Sequence, residues 1–218
     1  MAPKVLLLDV DGVLVRDPLL TQHVRYNVVE YVRAKLPEAK DPARVNTILY
    51  KTHGHTARGL QKSFKIDASD FDEKVYDKKL VDHLWSVLSS TEFQQDAKII
   101  NEIEASGWKV QLFSNSPLAW SLPVMQVLGG HSSVVHDHKH LKPSLRAYTR
   151  FSTKNNYLFV DDTLINLYTA KLFPNWTPIH YSDNGIRQTD FPTVKSLWEL
   201  GLMCETINKF GLHSVTTA

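Results

Sequence analysis

Residues 5–14 read VLLLDVDGVL, a short aliphatic run closed by two acids one residue apart and a glycine. A continuous apolar run of this length is the pattern of a strand buried on both faces, as in a parallel sheet. Three later segments repeat the pattern: WKVQLFSN (108–115), NNYLFVDD (155–162) and WTPIHY (176–181), each short, β-rich and ended by polar residues. Stretches with helical spacing separate them. FQQDAKIINEIEASG (93–107) puts Ala97, Ile100 and Ile103 on one face and closes on a capping Gly. SPLAWSLPVMQVLGG (116–130) starts on Ser116-Pro117, an N-cap and first-turn pair, and stops at two glycines, with Pro123 predicting a kink or break. TVKSLWELGL (193–202) reads as a last helix whose Leu197, Trp198 and Leu200 face the sheet. Strand followed by helix, repeated, predicts an α/β doubly wound parallel sheet with right-handed crossovers.

From Leu19 to Thr91 the alternation stops. HVRYNVVEYVRAKL (23–36), ARVNTILYKTHG (43–54) and FDEKVYDKKLVDHLWSVL (71–88) are amphipathic and helical in spacing. The expected organisation is a core of residues 1–18 and 92–218 with a small all-helical cap, 19–91, inserted after the first strand.

Composition narrows the function classes. A net charge of +2 over 218 residues is too mild to argue for a nucleic-acid polymer as partner. No apolar run approaches the roughly 20 residues that span a bilayer, so no membrane partner is expected. The single cysteine, Cys204, excludes an intramolecular disulfide. The N-terminus enters a strand-like run with no charged leader, and a cytoplasmic location is expected.

In an open α/β sheet, ligands bind beyond the carboxyl ends of the strands. Strand one ends at Asp9-Val10-Asp11-Gly12, the next at Ser114-Asn115, and a later one at Asp161-Asp162-Thr163. These clusters converge on one edge, and Lys142-Pro143, in an intervening loop, can bring a positive charge there. Four carboxylates together require a cation, and an all-oxygen donor set selects a hard one such as Mg²⁺. A hydroxyl at Ser114 beside a helix N-terminus suits a phosphate. The DVDG stretch is not a calcium-binding EF-hand loop, because its Gly comes too early and no Glu follows at the twelfth position. Each piece also has a plain structural reading as a turn, a cap or a solvated charge; their order along one edge is what argues for a site.

Taken in order, Asp9-Val10-Asp11-Gly12-Val13-Leu14, Ser114, Lys142-Pro143 and Asp161-Asp162 resemble the four motifs of the haloacid dehalogenase superfamily, and the insertion resembles that superfamily's helical cap. The resemblance implies a Mg²⁺-dependent phosphoryl-transfer enzyme that forms an aspartyl-phosphate. It makes Asp9 the nucleophile and Asp11 the general acid, whose backbone carbonyl also ligates the metal. Ser114 and Lys142 would hold phosphoryl oxygens, with Asn115 beside them as a substrate contact. Asp162 would be the direct metal ligand and Asp161 a second or water-mediated one. Dehalogenases lack the second acid, so Asp11 favours phosphate chemistry. Asn166 stands where many relatives keep an Asp, in position to orient Lys142 or the metal shell.

Within the insertion, Tyr50-Lys51, Gly54 and Arg58-Gly59-Leu60 resemble the cap segment of the pyrimidine 5′-nucleotidase subgroup. That implies a nucleoside 5′-monophosphate as substrate, with Arg58 and Tyr50 as contacts and His53 and His55 as further candidates. Gly12 departs from the subgroup, which carries Asn there. Phosphatases of sugar phosphates or other small phosphometabolites, a phosphomutase, and a non-catalytic scaffold retaining the fold are the alternatives. The run HDHKH (136–140) alternates like a transition-metal site, yet it carries no Cys and reads best as part of the loop before Lys142. Trp85, Trp108, Trp120 and Trp198 sit at apolar positions and are expected in the core.

Overall fold

The computed structural model describes residues 2–129, 133–135, 140–183 and 189–212. The chain divides into two compact units, Met1–Val15 with Leu88–Ala218, and Arg16–Val87.

The first unit is built on a six-stranded parallel sheet in the order β3-β2-β1-β4-β5-β6. The strands are β1 (Lys4–Leu8), β2 (Lys109–Phe113), β3 (Ser133–Val135), β4 (Asn156–Asp161), β5 (Trp176–Tyr181) and β6 (Thr193–Val194). This is the expected doubly wound α/β fold. The aliphatic run of β1 is central because both of its faces are covered. Val5 and Leu7 join Phe113, Tyr148, Tyr157, Phe159 and Trp176 in one cluster, while Leu6 and Leu8 point the other way and are also fully buried. A strand apolar on both faces is stable only between two layers. The chain runs outward from β1 through β2 to β3 and then returns to the far side of β1 as β4. The crevice between the carboxyl ends of β1 and β4 is therefore the topological switch point, where such sheets bind ligands.

Two strands escape the sequence reading. Ser133–Val135 has only three residues, too few to carry a period. Thr193–Val194 forms the edge strand rather than opening the last helix, which runs from Leu197 to Phe210 with the Ser196 hydroxyl capping the Glu199 N–H. On that helix Leu197, Leu200, Cys204 and Ile207 form the buried stripe. Trp198 lies about 100° round from Leu197 and is 61% exposed, which corrects its expected core placement. The helix before β2 spans Thr91–Ala105, capped by Ser90, and Gly107 follows it at φ +96°, as its terminal glycine implied. The helix after β2 spans Leu118–Leu128 and continues through Pro123 without a break. Ser116 does not cap it; the N-cap position is Pro117, and the Ser116 side chain is used elsewhere.

The second unit is all helical in its regular structure. It comprises Pro18–Lys35, Pro42–His53, a short turn Thr56–Gly59 leading into a π-helical turn Leu60–Phe64, then Phe71–Val75 and Lys78–Leu88. Asp17 and Asp41 cap the first two helices through their carboxylates, each followed by Pro at the first helical position. The amphipathic stretch over 71–88 forms two helices, because the Asp77 carboxylate accepts the Leu80 N–H and starts a new one. Tyr31, Val32, Leu36, Leu49, Leu60, Phe71 and Val75 form this unit's own core. Trp85, 40% exposed, is not part of it. Among the described residues no helix is long and apolar enough to cross a membrane.

Candidate active site at the β1–β4 switch point

The carboxyl end of β1 delivers Asp9, whose N–H still donates to the Val160 carbonyl of β4. The next six residues fold into a tight loop: the Leu14 and Val15 N–H groups both donate to the Val10 carbonyl, and the Gly12 N–H donates to that of Val15. Val10, Val13, Leu14 and Val15 are all buried, so the loop is held by its aliphatic side chains while Asp9 and Asp11 serve the site. Gly12 adopts φ +79°, and a Cβ there would lie 2.3 Å from Asp162 Oδ2. No side chain fits that approach. Gly12→Ala is expected to destabilise the fold by about 2 kcal/mol or more, the left-handed backbone alone costing about 1–2. It should also displace the Asp162 carboxylate; a lowered melting temperature together with weakened divalent-cation binding by calorimetry checks both effects.

Lys142 is the electrostatic centre. Only 1% exposed, its ammonium lies 3.0 Å from Asp9 Oδ1 and 2.7 Å from Asp161 Oδ2, over the rings of Phe113 and Phe159. Burial alone would lower its pKa, but the two carboxylates outweigh it and raise the value, so Lys142 is a permanent cation. Its main chain is clamped as well. Asn115 Nδ2 donates to the Lys142 carbonyl and the Lys142 N–H donates back to Asn115 Oδ1, and the Lys142–Pro143 bond is cis. The Asn115 amide is thus engaged in holding the lysine.

Asp161 is fully buried and its oxygens accept from Lys142 Nζ, the Thr163 N–H and Asn166 Nδ2, the last touching both oxygens. A carboxylate offers about four lone-pair sites, and these contacts engage all of them. Asn166 in turn is tied through its carbonyl to the buried Tyr148 hydroxyl. Asp9, Asp161 and Asp162 each present an oxygen within 4.8 Å of the others, a grouping able to hold a metal ion. Asp162 is its solvent-exposed member. Burial, then the neighbouring Asp161, pushes the Asp162 carboxyl up to about 6, with water at its exposed side screening part of that effect. Asp9 is raised well above the usual carboxylate range, first by burial, with Lys142 opposing and the surrounding acids reinforcing. Asp11 is raised by burial and opposed by two hydrogen bonds. These come from the Ser116 hydroxyl to Oδ2 and from Trp120 Nε1 to Oδ1, the latter at 2.9 Å.

Asp9, Asp11, Ser114, Asn115, Lys142, Asp161 and Asp162 therefore lie within one unit around one crevice. Ser114 is buried, and its oxygen accepts the Ser116 N–H at 3.0 Å, which leaves its own proton to donate. Tyr50 and Arg58 belong to the helical unit, where Tyr50 is half exposed and Arg58 partly buried. His53 is hydrogen-bonded to the Ser63 hydroxyl and the His55 ring packs against Phe71. Of HDHKH, residues 136–139 lie outside the described residues. Ser116 and Trp120 are the site residues that sequence reasoning missed. The only available signal was that each has a polar group at the start of the helix following Ser114.

No protein-family model matches the chain, and no curated protein is significantly similar to it. Solved structures do resemble it. A dehalogenase determined with an intermediate complex is 16% identical with a TM-score of 0.55, the match covering 93% of this chain and 97% of that one. A hydrolase from Pseudomonas syringae is 11% identical with a TM-score of 0.56, covering 94% and 99%. A haloacid dehalogenase-like hydrolase from Xanthomonas campestris is 12% identical with a TM-score of 0.50, covering 96% and 98%. The chain has the fold of the haloacid dehalogenase-like hydrolases.

Proposed function

We propose that the chain is a Mg²⁺-dependent phosphomonoesterase that works through an aspartyl-phosphate on Asp9, with nucleoside 5′-monophosphates as its substrates. The observation that carries this reading is the pair of acids in one loop with two environments. Asp9 faces the Lys142 ammonium, whereas both oxygens of Asp11 are held by neutral donors. Environments that separate two neighbouring carboxyls assign them to different roles, here nucleophile and general acid. A dehalogenase has no use for the second acid.

The donor set fits a hard divalent cation. The Asp9, Asp161 and Asp162 carboxylates gather beside one ammonium, and all candidate ligands are oxygens. Asp9 and Asp162, with the Asp11 carbonyl, would hold the ion, and Asp161 would act on the site through Lys142. When bound, the ion would neutralise the acids and polarise phosphoryl oxygens. The Asp9 carboxylate attacks phosphorus in line, the ester P–O bond breaks, and the Asp11 carboxyl gives its proton to the departing alkoxide. Asp11, now a carboxylate, takes a proton from the water that cleaves the aspartyl-phosphate. Lys142 and the Ser114 hydroxyl hold charge on the transferring group. The nucleotide preference rests on the resemblance of the Tyr50 to Leu60 segment to the pyrimidine 5′-nucleotidase cap.

Phosphate release from a panel of nucleoside 5′-monophosphates and sugar phosphates, with Mg²⁺ and with EDTA, tests this. Metal-dependent turnover favouring nucleotides is the expected result. Preference for a sugar phosphate would retire the cap argument, and no turnover of any member would support the scaffold reading. A metal-binding readout is independent of turnover. Carboxyls raised in the folded state contribute stability below their unfolded pKa, near 4, and that contribution is lost as pH rises through the folded values, about 6 for Asp162. A bound cation offsets the loss. At about 100 times its Kd, Mg²⁺ should stabilise the protein by about 2.7 kcal/mol at pH 7.5, roughly 5–10 °C in Tm, and by much less at pH 5. Equal shifts at both pH values would contradict the metal assignment.

A further inference from the structure

We propose that Trp120 and Ser116 are positioning residues that fix the orientation of the Asp11 carboxyl, the general acid for the alkoxide leaving group of an unactivated alkyl phosphate. The inference rests on the phosphomonoesterase reading above. Its basis is the difference between the two donors. Trp120 Nε1 lies 2.9 Å from Oδ1, and an indole N–H can only donate, so Oδ1 is held as the acceptor oxygen in either protonation state. Ser116 faces Oδ2 through a hydroxyl, which donates to a carboxylate and, after rotating its hydrogen, accepts from a carboxylic acid. The two contacts therefore take both oxygens of Asp11 and hold its carboxyl in one orientation.

The scaffold makes this durable. Trp120 is fully buried on the helix that follows β2, and its ring cannot turn away without opening the core. Ser116 is also buried and lies two residues before that helix begins, so both donors reach the same carboxyl from one short stretch of chain. A general acid held this firmly matters most where the leaving alkoxide is a poor one. Esters of ordinary alcohols need the proton as the P–O bond breaks; a p-nitrophenolate departs with little help. The transfer balances: Asp9 oxygen bonds to phosphorus, the ester oxygen leaves with the electron pair and takes the Asp11 proton, and Asp11 remains a carboxylate.

The test compares the best nucleoside 5′-monophosphate of that panel, an alkyl ester, with p-nitrophenyl phosphate, both with Mg²⁺, for the wild type, Trp120→Phe, Ser116→Ala and Ser116→Thr. Trp120→Phe and Ser116→Ala should lower kcat on the alkyl ester about 10- to 100-fold, at least about tenfold more than on the aryl ester, with KM changed less than about twofold. Ser116→Thr, which keeps the hydroxyl, should restore most of the loss. In an Asp11→Asn background neither substitution should change the ratio of the two esters further, because both act through Asp11. Equal losses on the two esters, no loss, or losses that persist in that background would overturn the inference while leaving the phosphatase reading intact. A wild type that hydrolyses neither ester would overturn the phosphatase reading and this inference with it. If Trp120→Phe does not fold by circular dichroism, the smaller Ser116→Ala decides the outcome by the same comparison.

Discussion

Asp9→Asn is expected to lower phosphate release by more than about 10³-fold while leaving the protein folded. The amide is nearly isosteric with the carboxyl, and its oxygen can still accept the Val10 N–H that Asp9 Oδ1 accepts at 2.8 Å. What disappears is the proposed nucleophile and one negative charge. Burial already disfavours that charge, so its removal does not destabilise the metal-free fold at neutral pH; Lys142 keeps its second partner in Asp161. The measurement is turnover of the best panel substrate beside a thermal melt. Mass spectrometry of the quenched wild type should find phosphate on Asp9, and the variant should carry none. Turnover undiminished by the substitution would sink the covalent mechanism.

Lys142→Met is the second large effect, and it acts on stability as much as on activity. Methionine fills a similar volume but leaves Asp9 and Asp161 buried without their shared cation. Removing one partner of a buried ion pair typically costs about 3–5 kcal/mol, because the remaining charge is uncompensated. The sign with pH follows from Asp9. Lys142 lowers its pKa, so losing the lysine raises an already raised carboxyl further. A group whose folded pKa exceeds its unfolded one contributes stability at low pH and loses it as pH rises. The variant should therefore approach wild-type stability near pH 4 and fall furthest behind it near pH 8. Denaturant melts across that range check the slope; a deficit independent of pH would mean that lost packing, not charge, is responsible. Turnover should fall by about 10² or more, as expected for loss of a preorganised cation on the transferring group.

The sheet and the acids were legible because their signals are local. An aliphatic run such as Val5–Leu8 is buried on both faces wherever it lies in a parallel sheet, and the polar residues at strand ends mark one edge of it. β3 and β6 were not legible, because two or three residues hold no period and pair only where a neighbouring strand offers an edge. Trp198 and Trp85 were placed in the core by their chemistry, yet on a helix the stripe that faces inward is chosen by the partner surface. Asp161 and Asn115 show the same limit within the site. The sequence marks both as edge residues, and only the fold shows that each is engaged in holding Lys142, one through its carboxylate and the other through its amide.

Ser116 is the plainest case. Before Pro117, at a helix start, its hydroxyl has an ordinary use as an N-cap, and short-range rules assign it that role. The fold instead places the Asp11 carboxylate beside it, across 105 positions of sequence. A buried carboxylate without donors is costlier than an uncapped helix end open to solvent, so the hydroxyl goes to the acid. By itself, the sequence determined the layer architecture, the edge where the acids collect and the identity of its charged groups. Which oxygen of Asp11 each donor holds, and that Asp161 serves Lys142, was decided by tertiary structure, because hydrogen bonds between distant segments depend on positions that only the packed sheet defines.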